Sequence, residues 1–493
     1  MITAAVFIVG IALRVLMFLS DKSPWSDEWF SIMLAQKPFA EVLWGSIRDV
    51  HPPLYFVLLR ALVVFFGDAE WVFRFLSFLS GLGLLGAIYF LAKEILDQKV
   101  ARVVLYLAAI SPYWLQTANE IRSYSLLSFL TCLGTFFLVK AVREPQAARW
   151  RWAYLSTAAL SVYVEHVAWF WLGAATVYLA ILFFKDRRVA GAVRFHGSVL
   201  FLAAPSLILT VYQAVYREDV FNFDRIKEYL PPLILLKKAV GIFWHFSSGY
   251  FYSMITVEAL GSHLKSSPFF WMSAVTSLLA LFFAGKGWLG LYKKRPVEGM
   301  LFAVALVFPL AILGIFYAIR LDARYLSFAA PFYFILLGIG VSLTRRWIQA
   351  AFMILFTAVN MFGAFQAVIS QTDAIHKEDY KNMISYVLEN AASRDAVCES
   401  NLAVNYYQKI MNRRFKGVYF PHAHDFFISG RDDFDRVWMM DSVNMHSDER
   451  ERRAQLTLEK FEALGYRLAG EPILFGGPEA LTRLYIFERA GEF

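Results

Sequence analysis

The chain has 493 residues, of which 58% are hydrophobic, 17% are aromatic and only 18% are charged. Soluble globular proteins contain about 45–50% apolar and about 25% charged residues, so this composition excludes an ordinary soluble protein as well as a disordered or collagen-like chain. The two cysteines, Cys132 in an apolar run and Cys398 in a polar region, predict no structural disulfide. The composition predicts an integral membrane protein.

The charged residues divide the chain into two parts. Residues 371–493 carry 16 basic and 20 acidic side chains, which leaves 32 basic and 20 acidic side chains in the first 370 residues. A basic region of net charge +12 therefore precedes a polar region of net charge −4. A basic multi-span region attracts anionic partners such as lipid headgroups and phosphates.

About eleven segments are apolar and long enough to cross a membrane, which takes about 20 residues per helix. They lie near residues 1–20, 71–92, 100–118, 123–142, 152–164, 167–184, 197–216, 268–290, 299–318, 326–343 and 347–369. The first segment lacks the basic n-region and the cleavage site of a signal peptide, so it is expected to remain as a helix. The sequence predicts an α-helical polytopic membrane protein with about 11 transmembrane helices.

Lysine and arginine cluster in alternate short loops, which the positive-inside rule places in the cytoplasm. The five basic loops contain Lys93, Lys99 and Arg102; Arg143, Arg149 and Arg151; Lys185, Arg187 and Arg188; Lys293, Lys294 and Arg295; and Arg345 and Arg346. The N-terminus of the transmembrane region 1–369 is then cytoplasmic, and the loops 21–70 and 217–267 lie outside. Both loops contain an apolar stretch, at 52–67 and 231–255, that is expected to lie along the membrane surface as an amphipathic helix. The protein is expected in the cell membrane.

Residues 370–493 are expected to form a small extracytoplasmic α/β domain. Helices are predicted near 378–392 and 402–412 and from the cap at Ser447 to Gly465, and strands near 396–398, 415–420, 434–441, 466–470 and 482–489.

Polar side chains inside or beside membrane spans are costly, so each is a candidate for function. The predicted topology brings a set of them to one membrane boundary: Asp27, Glu28, His51, Glu120, Arg122, Tyr124, His166, Arg320, Asp322, Arg324 and Tyr325. Arginine offers phosphate a planar fork of donors, and a carboxylate can take a proton from an attacking hydroxyl. Because a lipid boundary is where a substrate with an apolar tail presents its polar head, the set indicates group transfer from a lipid phosphate.

Several of these residues also fit a structural role. Asp27 and Glu28 fit the first turn of a helix, where acidic groups contribute about 0.3–1 kcal/mol against the helix dipole. His51 before two prolines fits a helix start, and His166 fits a hydrogen-bonded core histidine. GLGLLG at 81–86 matches a dinucleotide-binding pattern, but it lies in mid-span without a preceding strand, which indicates close helix packing instead.

Six ordered motifs in residues 1–345 resemble the C-type (GT-C) glycosyltransferases of the protein O-mannosyltransferase and aminoarabinose-transferase superfamily, especially its bacterial family 39 members. The motifs are SDEWFSIMLAQ, DVHPPLYFVLLRAL, FFGDAEWVFRFLS, SPYWLQTANEIRSYSLLSFL, LSVYVEHVAWFWL and DARYLSFAAPF. The chain departs from the eukaryotic protein mannosyltransferases in having LYF after HPP and in lacking their long inserted luminal domain. It also lacks the WWD-type signature of oligosaccharyltransferases, so a protein acceptor is not specifically indicated.

The resemblance implies an enzyme that moves a hexosyl or pentosyl group, with inversion, from a polyprenyl-phosphate carrier to an extracytoplasmic glycan, lipid or protein. It implies that Asp27, with Glu28 beside it, is the base, that Glu120 is a second acidic position and that His51 binds the lipid phosphate. Donor-phosphate or substrate binding is further expected at Arg122, Tyr124, His166, Arg320, Arg324 and Tyr325. The expected partners are the sugar donor, the acceptor and membrane lipids, not nucleic acid. No cofactor is implied, and a divalent metal stays open.

A transporter or flippase for a lipid-linked or phosphorylated solute is the alternative, because it would also place polar residues in its spans. Transporters usually have repeated halves and polar groups near the membrane midplane. The sequence has no internal repeat and its polar groups gather at one boundary, which favours the glycosyltransferase.

Overall fold

The structure is a computed structural model that describes residues 2–186, 189–216, 232–249, 268–317, 322–369, 379–399, 414–420, 426, 434–442, 456, 458–475 and 482–489. The chain divides into two compact units. The first unit comprises Met1–Ser20 and Leu34–Val368, and the second comprises Asp21–Met33 and Ile369–Phe493.

Helices make up the described part of the chain up to residue 369. They are α1 (Ile2–Leu19), α2 (Ser26–Ala35), α3 (Phe39–Arg48), α4 (Leu54–Phe66), α5 (Glu70–Ile95), α6 (Gln98–Ala109), α7 (Pro112–Asn119), α8 (Tyr124–Arg143), α9 (Ala148–Val164), α10 (Ala168–Lys185), α11 (Ala190–Tyr216), α12 (Pro232–Ser248), α13 (Pro268–Lys294), α14 (Pro296–Tyr317), α15 (Ala330–Ser342) and α16 (Arg346–Ile369). A 3₁₀ helix at Ala323–Ala329 precedes α15.

Seven of the described helical segments are long and apolar enough to cross a membrane. They are Glu70–Ile95, Tyr124–Arg143, Ala168–Lys185, Ala190–Val215, Pro268–Lys294, Ala323–Ser342 and Arg346–Ile369, and shorter apolar helices lie at Thr3–Leu19, Leu54–Phe66 and Pro296–Ile312. The chain is a multi-pass membrane protein, and the predicted polytopic helical fold is confirmed.

The segment expected to cross as one helix near 100–118 is broken in two. Proline has no N–H and cannot continue a helix from the preceding turn, so Pro112 opens a new helix at its first position. The carbonyls of Ala108 and Ala109 at the end of α6 accept hydrogen bonds from the buried Arg14 guanidinium of α1, at 3.4 and 3.1 Å. Arg14 thereby satisfies backbone groups that the break releases within an apolar region.

Glycines set the closest helix contacts of the first unit. A Cβ atom on Gly81 of α5 would lie 2.4 Å from the Ala118 Cβ of α7, and one on Gly287 of α13 would lie 1.8 Å from the Leu336 carbonyl oxygen of α15. GLGLLG therefore packs α5 against α7, which confirms the interpretation of that motif as close helix packing.

The C-terminal part of the second unit is a sheet with helix α17 (Tyr380–Asn390) beside it, and residues 458–463 are helical as well. Its strands are β1 (Ala396–Glu399), β2 (Val418–Phe420), β3 (Arg436–Ser442), β4 (Tyr466–Leu468), β5 (Ile473–Phe475) and β6 (Thr482–Arg489). The order is β2-β1-β3-β6-β4 with β5 also on β6; β1 is parallel to β2 and β3, and the pairs that β6 makes are antiparallel.

The core of this sheet is aromatic, with Phe461 stacked on Phe487 at 4.0 Å between ring centroids. The predicted C-terminal α/β fold is confirmed, although the three-residue strand β5 was not predicted. The helix predicted at 402–412 and the cap at Ser447 lie outside the described residues. The predicted stop at Gly465 is confirmed, since this glycine has a φ of 82°.

Candidate active site

A short loop between α3 and α4 carries two of the polar side chains of the first unit. Pro52 and Pro53 end the loop, and α4 begins directly after them. The His51 Nδ1 atom lies 3.0 Å from Asp49 Oδ2, and its Nε2 atom lies 2.5 Å from Arg122 Nη2, 71 residues further along the chain. The predicted site residues His51 and Arg122 are thus brought into direct contact.

The contact with Arg122 determines which ring nitrogen of His51 carries the proton. A guanidinium has only donors, so Arg122 must donate to a His51 Nε2 lone pair, and the ring proton lies on Nδ1, where it donates to Asp49. Burial alone raises the pKa of Asp49, but the hydrogen bond and attraction of His51, with the Arg122 charge, outweigh it and lower that pKa. Asp49 therefore stays ionised and holds His51 in one tautomer.

The turn between α7 and α8 is anchored so that Arg122 has a defined position. Ser77 of α5 donates to the Arg122 carbonyl at 3.0 Å, and Arg74 donates to the Asn119 carbonyl at 2.9 Å. The Arg122 guanidinium is buried and lies 5.8 Å from the centroid of the Tyr124 ring. The predicted site residues Arg122 and Tyr124 therefore lie side by side, with the guanidinium next to the aromatic ring.

A second set of charges surrounds Tyr113 of α7. The Tyr113 hydroxyl donates to the Ala323 carbonyl at 3.3 Å, and the charges of the fully buried Glu120, of Asp322 and of Arg324 all act on that hydroxyl. Asp322 accepts the Arg324 N–H at 2.9 Å and its guanidinium at 3.3 Å. Burial raises the pKa of Asp322, but Arg324 and His245 outweigh that effect and keep its pKa well below the ordinary value. The predicted residues Glu120 and Arg324 therefore share one electrostatic neighbourhood.

Helix α12 adds two basic residues to this neighbourhood that were not predicted. Lys238 interacts electrostatically with Asp322, and His245 interacts with Asp322 and Arg324. Their spacing of seven residues places both on one face of the helix, which is the signal that sequence inspection could have used. Of the other predicted residues, Tyr325 is 38% exposed and Arg320 lies outside the described residues.

His166, for which substrate binding is predicted, has a protein partner at each of its two ring nitrogens. Nε2 lies 2.6 Å from Gln213 Oε1, and Nδ1 lies 2.7 Å from Thr210 Oγ1. The Gln213 amide in turn donates to the carbonyls of Ser46 and Ile47 at 3.1 Å. Since these carbonyls belong to the last turn of α3, His166 and Gln213 support the loop that carries His51.

Asp27 and Glu28 belong to the second unit, in the first turn of α2. The buried Glu28 carboxylate accepts the Trp25 N–H at 3.2 Å, which is the backward contact of a capping box. Asp27, one residue earlier, is partly exposed. Glu28 thus stabilises the helix start that carries Asp27. Among the described residues there is no group of three or more His, Cys, Asp or Glu that could hold a metal ion.

Known proteins share both a sequence segment and the fold of this chain. Residues 50–212 match the model of the dolichyl-phosphate-mannose-protein mannosyltransferase family, and no curated protein sequence matches. ArnT from Cupriavidus metallidurans in the apo state is similar over 99% of both chains, with a TM-score of 0.55 and 12% identity. The chain thus contains a segment similar to that mannosyltransferase family and has a fold similar to that of ArnT.

Two further solved structures have a similar fold at low sequence identity. ArnT from Cupriavidus metallidurans bound to undecaprenyl phosphate has a TM-score of 0.50 and 12% identity, over 98% of this chain and 97% of that chain. The Archaeoglobus fulgidus oligosaccharyltransferase tethered with an acceptor peptide has a TM-score of 0.50 and 14% identity, over 98% of this chain and 74% of that chain. The segment that matches the family model contains His51, Glu120, Arg122 and His166, whereas Asp27 and Arg324 lie outside it.

Proposed function

We propose that this chain is a glycosyltransferase that moves a sugar, with inversion, from a polyprenyl-phosphate donor to an acceptor hydroxyl on the extracytoplasmic side of the membrane. The observation that carries the proposal is the chain of contacts from Asp49 through His51 to Arg122. Arg122 donates to an uncharged ring nitrogen, so this contact does not neutralise its charge, and a buried guanidinium suits a phosphate oxygen. The fold similarity to ArnT bound to undecaprenyl phosphate agrees with this class of donor.

In the proposed reaction Asp27 is the general base. The acceptor oxygen attacks the anomeric carbon while its proton passes to the Asp27 carboxylate, and the bond from the anomeric carbon to the phosphate oxygen breaks. The electron pair of that bond leaves on the polyprenyl phosphate, where Arg122 and His51 stabilise the developing negative charge, with Arg324 as a further cation. Attack opposite to the leaving phosphate inverts the anomeric configuration.

Purified protein and a panel of undecaprenyl-phosphate-linked hexoses and pentoses test this proposal, with release of undecaprenyl phosphate measured by mass spectrometry. Asp27→Asn should lower turnover by about 10²–10⁴-fold and leave the thermal stabilisation by undecaprenyl phosphate intact. Arg122→Gln should weaken the affinity for undecaprenyl phosphate, measured by that stabilisation, by about 10- to 150-fold, because a hydrogen bond to a charged group contributes roughly 1.5–3 kcal/mol.

The matched control is Arg102→Gln, which changes an exposed arginine of α6 that contacts Thr3. It should behave like wild type in both measurements. Wild-type turnover of folded Asp27→Asn would reject the base, and a full lipid shift in Arg122→Gln would reject the phosphate site. Acceptor-independent movement of the intact donor across vesicles would favour a flippase instead.

A further inference from the structure

The first turn of α17 is capped by a side chain from the other end of the chain. Asp379, the N-cap residue, accepts the Asn382 N–H at 3.3 Å and the Asn382 amide at 2.7 Å. The Lys381 N–H, 358 residues away in sequence, donates to Ser23 Oγ at 3.2 Å, and the Ser23 hydroxyl bonds the Asp379 carboxylate. Ser23 therefore satisfies a backbone donor that a helix start leaves without an intrahelical partner.

Both side chains of this contact are buried, which is typical of an interaction that stabilises the structure. Ser23 is 2% exposed and Asp379 is 1% exposed. Leaving a buried donor or acceptor unsatisfied is costly, so the two side chains hold each other in place. The nearby ion pair from Lys381 Nζ to Asp21 differs, since Asp21 is 79% exposed and exposed pairs contribute little.

From Ser23 the chain reaches Asp27 in four residues, and the intervening segment is fixed as well. Trp25 is buried, and its N–H donates to the buried Glu28 carboxylate at 3.2 Å. The α17 cap thus fixes Ser23, and the capping contact of α2 fixes the turn that carries Asp27. The same compact unit contains both segments.

We infer that the C-terminal domain positions Asp27 through the Ser23–Asp379 contact, which makes Ser23 and Asp379 positioning residues for sugar transfer. The inference rests on the proposed role of Asp27 as the base. A base must lie within about 2.6–3.2 Å of the proton that it takes, and a misplacement of about 1 Å can cost about 100-fold in rate. The C-terminal domain then affects the rate of the transfer step through the position of Asp27.

Ser23→Ala and Asp379→Asn in the full-length protein test the inference. Each should lower kcat by about 10- to 100-fold while leaving the KM for the donor and the thermal shift with undecaprenyl phosphate unchanged. Ser23→Thr keeps a hydroxyl and should recover most of the turnover. The control Asn390→Ala, at the exposed other end of α17, should keep wild-type kcat. All rates are normalised to folded protein measured by gel filtration.

The double variant Ser23→Ala/Asp27→Asn separates this inference from the proposed function. If Ser23 acts through Asp27, the double variant should be no slower than Asp27→Asn alone, because the two effects are not independent. Multiplied effects, or wild-type kcat in Ser23→Ala, would overturn the positioning role while the base remains supported. Wild-type turnover in Asp27→Asn would instead reject the base itself. A Ser23→Ala variant that loses donor binding and turnover together would show a structural role only.

Discussion

Replacement of Asp49 by asparagine should weaken binding of the carrier lipid although Asp49 itself need not touch the phosphate. In the structure Asp49 accepts the His51 Nδ1 proton at 3.0 Å, which leaves the Nε2 lone pair for Arg122 at 2.5 Å. An asparagine keeps this order only if its oxygen faces the ring. If its amide group faces the ring, the proton moves to Nε2 and two donors oppose each other.

The expected magnitude follows from the charge that the substitution removes. A hydrogen bond to a charged group contributes about 1.5–3 kcal/mol and a neutral one about 0.5–1.5 kcal/mol, so Asp49→Asn should lose about 1–2 kcal/mol. That loss corresponds to about 5- to 30-fold weaker binding of undecaprenyl phosphate. Because the pKa of Asp49 is lowered, the wild-type carboxylate stays ionised and the difference should persist throughout the neutral pH range.

The assay is the thermal shift of the purified protein as a function of undecaprenyl phosphate concentration. Asp68→Asn, which changes an exposed aspartate in the turn after α4, is the matched control and should keep the wild-type affinity. In a His51→Gln background Asp49→Asn should have almost no further effect, because the ring that it orients is gone. Wild-type affinity in Asp49→Asn, or an undiminished effect without His51, would refute the reasoning.

Four further outcomes are expected. Gln213→Leu should raise the donor KM by about 10-fold, because the carbonyls at the end of α3 lose their hydrogen bonds to the buried Gln213 amide. An unchanged KM would mean that the loop carrying His51 keeps its position without Gln213. Burial lowers the pKa of His166 from its ordinary 6.5, so below about pH 6.5 the unfolded chain binds a proton that the folded chain does not, and stability should fall as the pH drops. The fall should be less steep in His166→Gln, and an equal slope in the two proteins would contradict the prediction. Arg324→Ala should weaken undecaprenyl phosphate binding by about 10- to 150-fold and Arg324→Lys should recover part of it; lower stability with a full lipid shift would make Arg324 structural. Both native cysteines are buried, so an impermeant thiol reagent should report on introduced cysteines. It should label Glu462→Cys on intact cells and Lys93→Cys only after lysis, and the reverse pattern would show that the topology is opposite to the predicted one.

The sequence alone determined the class of the protein and most of its helices. Membrane insertion depends on the hydropathy of about 20 consecutive residues, which can be read directly from the sequence. The span predicted at 123–142 accordingly corresponds to α8 at Tyr124–Arg143. Ordered motifs such as DVHPPLYFVLLRAL indicated the C-type glycosyltransferases, and the family-model match over residues 50–212 and the fold similar to ArnT agree with that resemblance. Hydropathy did not reveal the break before Pro112, because both sides of it are apolar.

Only the tertiary structure decided which polar residues act together. Asp49 gains its importance from a ring that contacts Arg122 across 71 residues, and Gln213 gains its own from α3 carbonyls about 167 residues away. Ser23 looks like an ordinary loop serine until it caps a helix 358 residues later. Hydrogen bonds require atoms at about 3 Å in a fixed direction, and spacing along a chain does not specify which distant atoms meet that condition. Residue type therefore sets what chemistry is available, and packing decides which groups perform it.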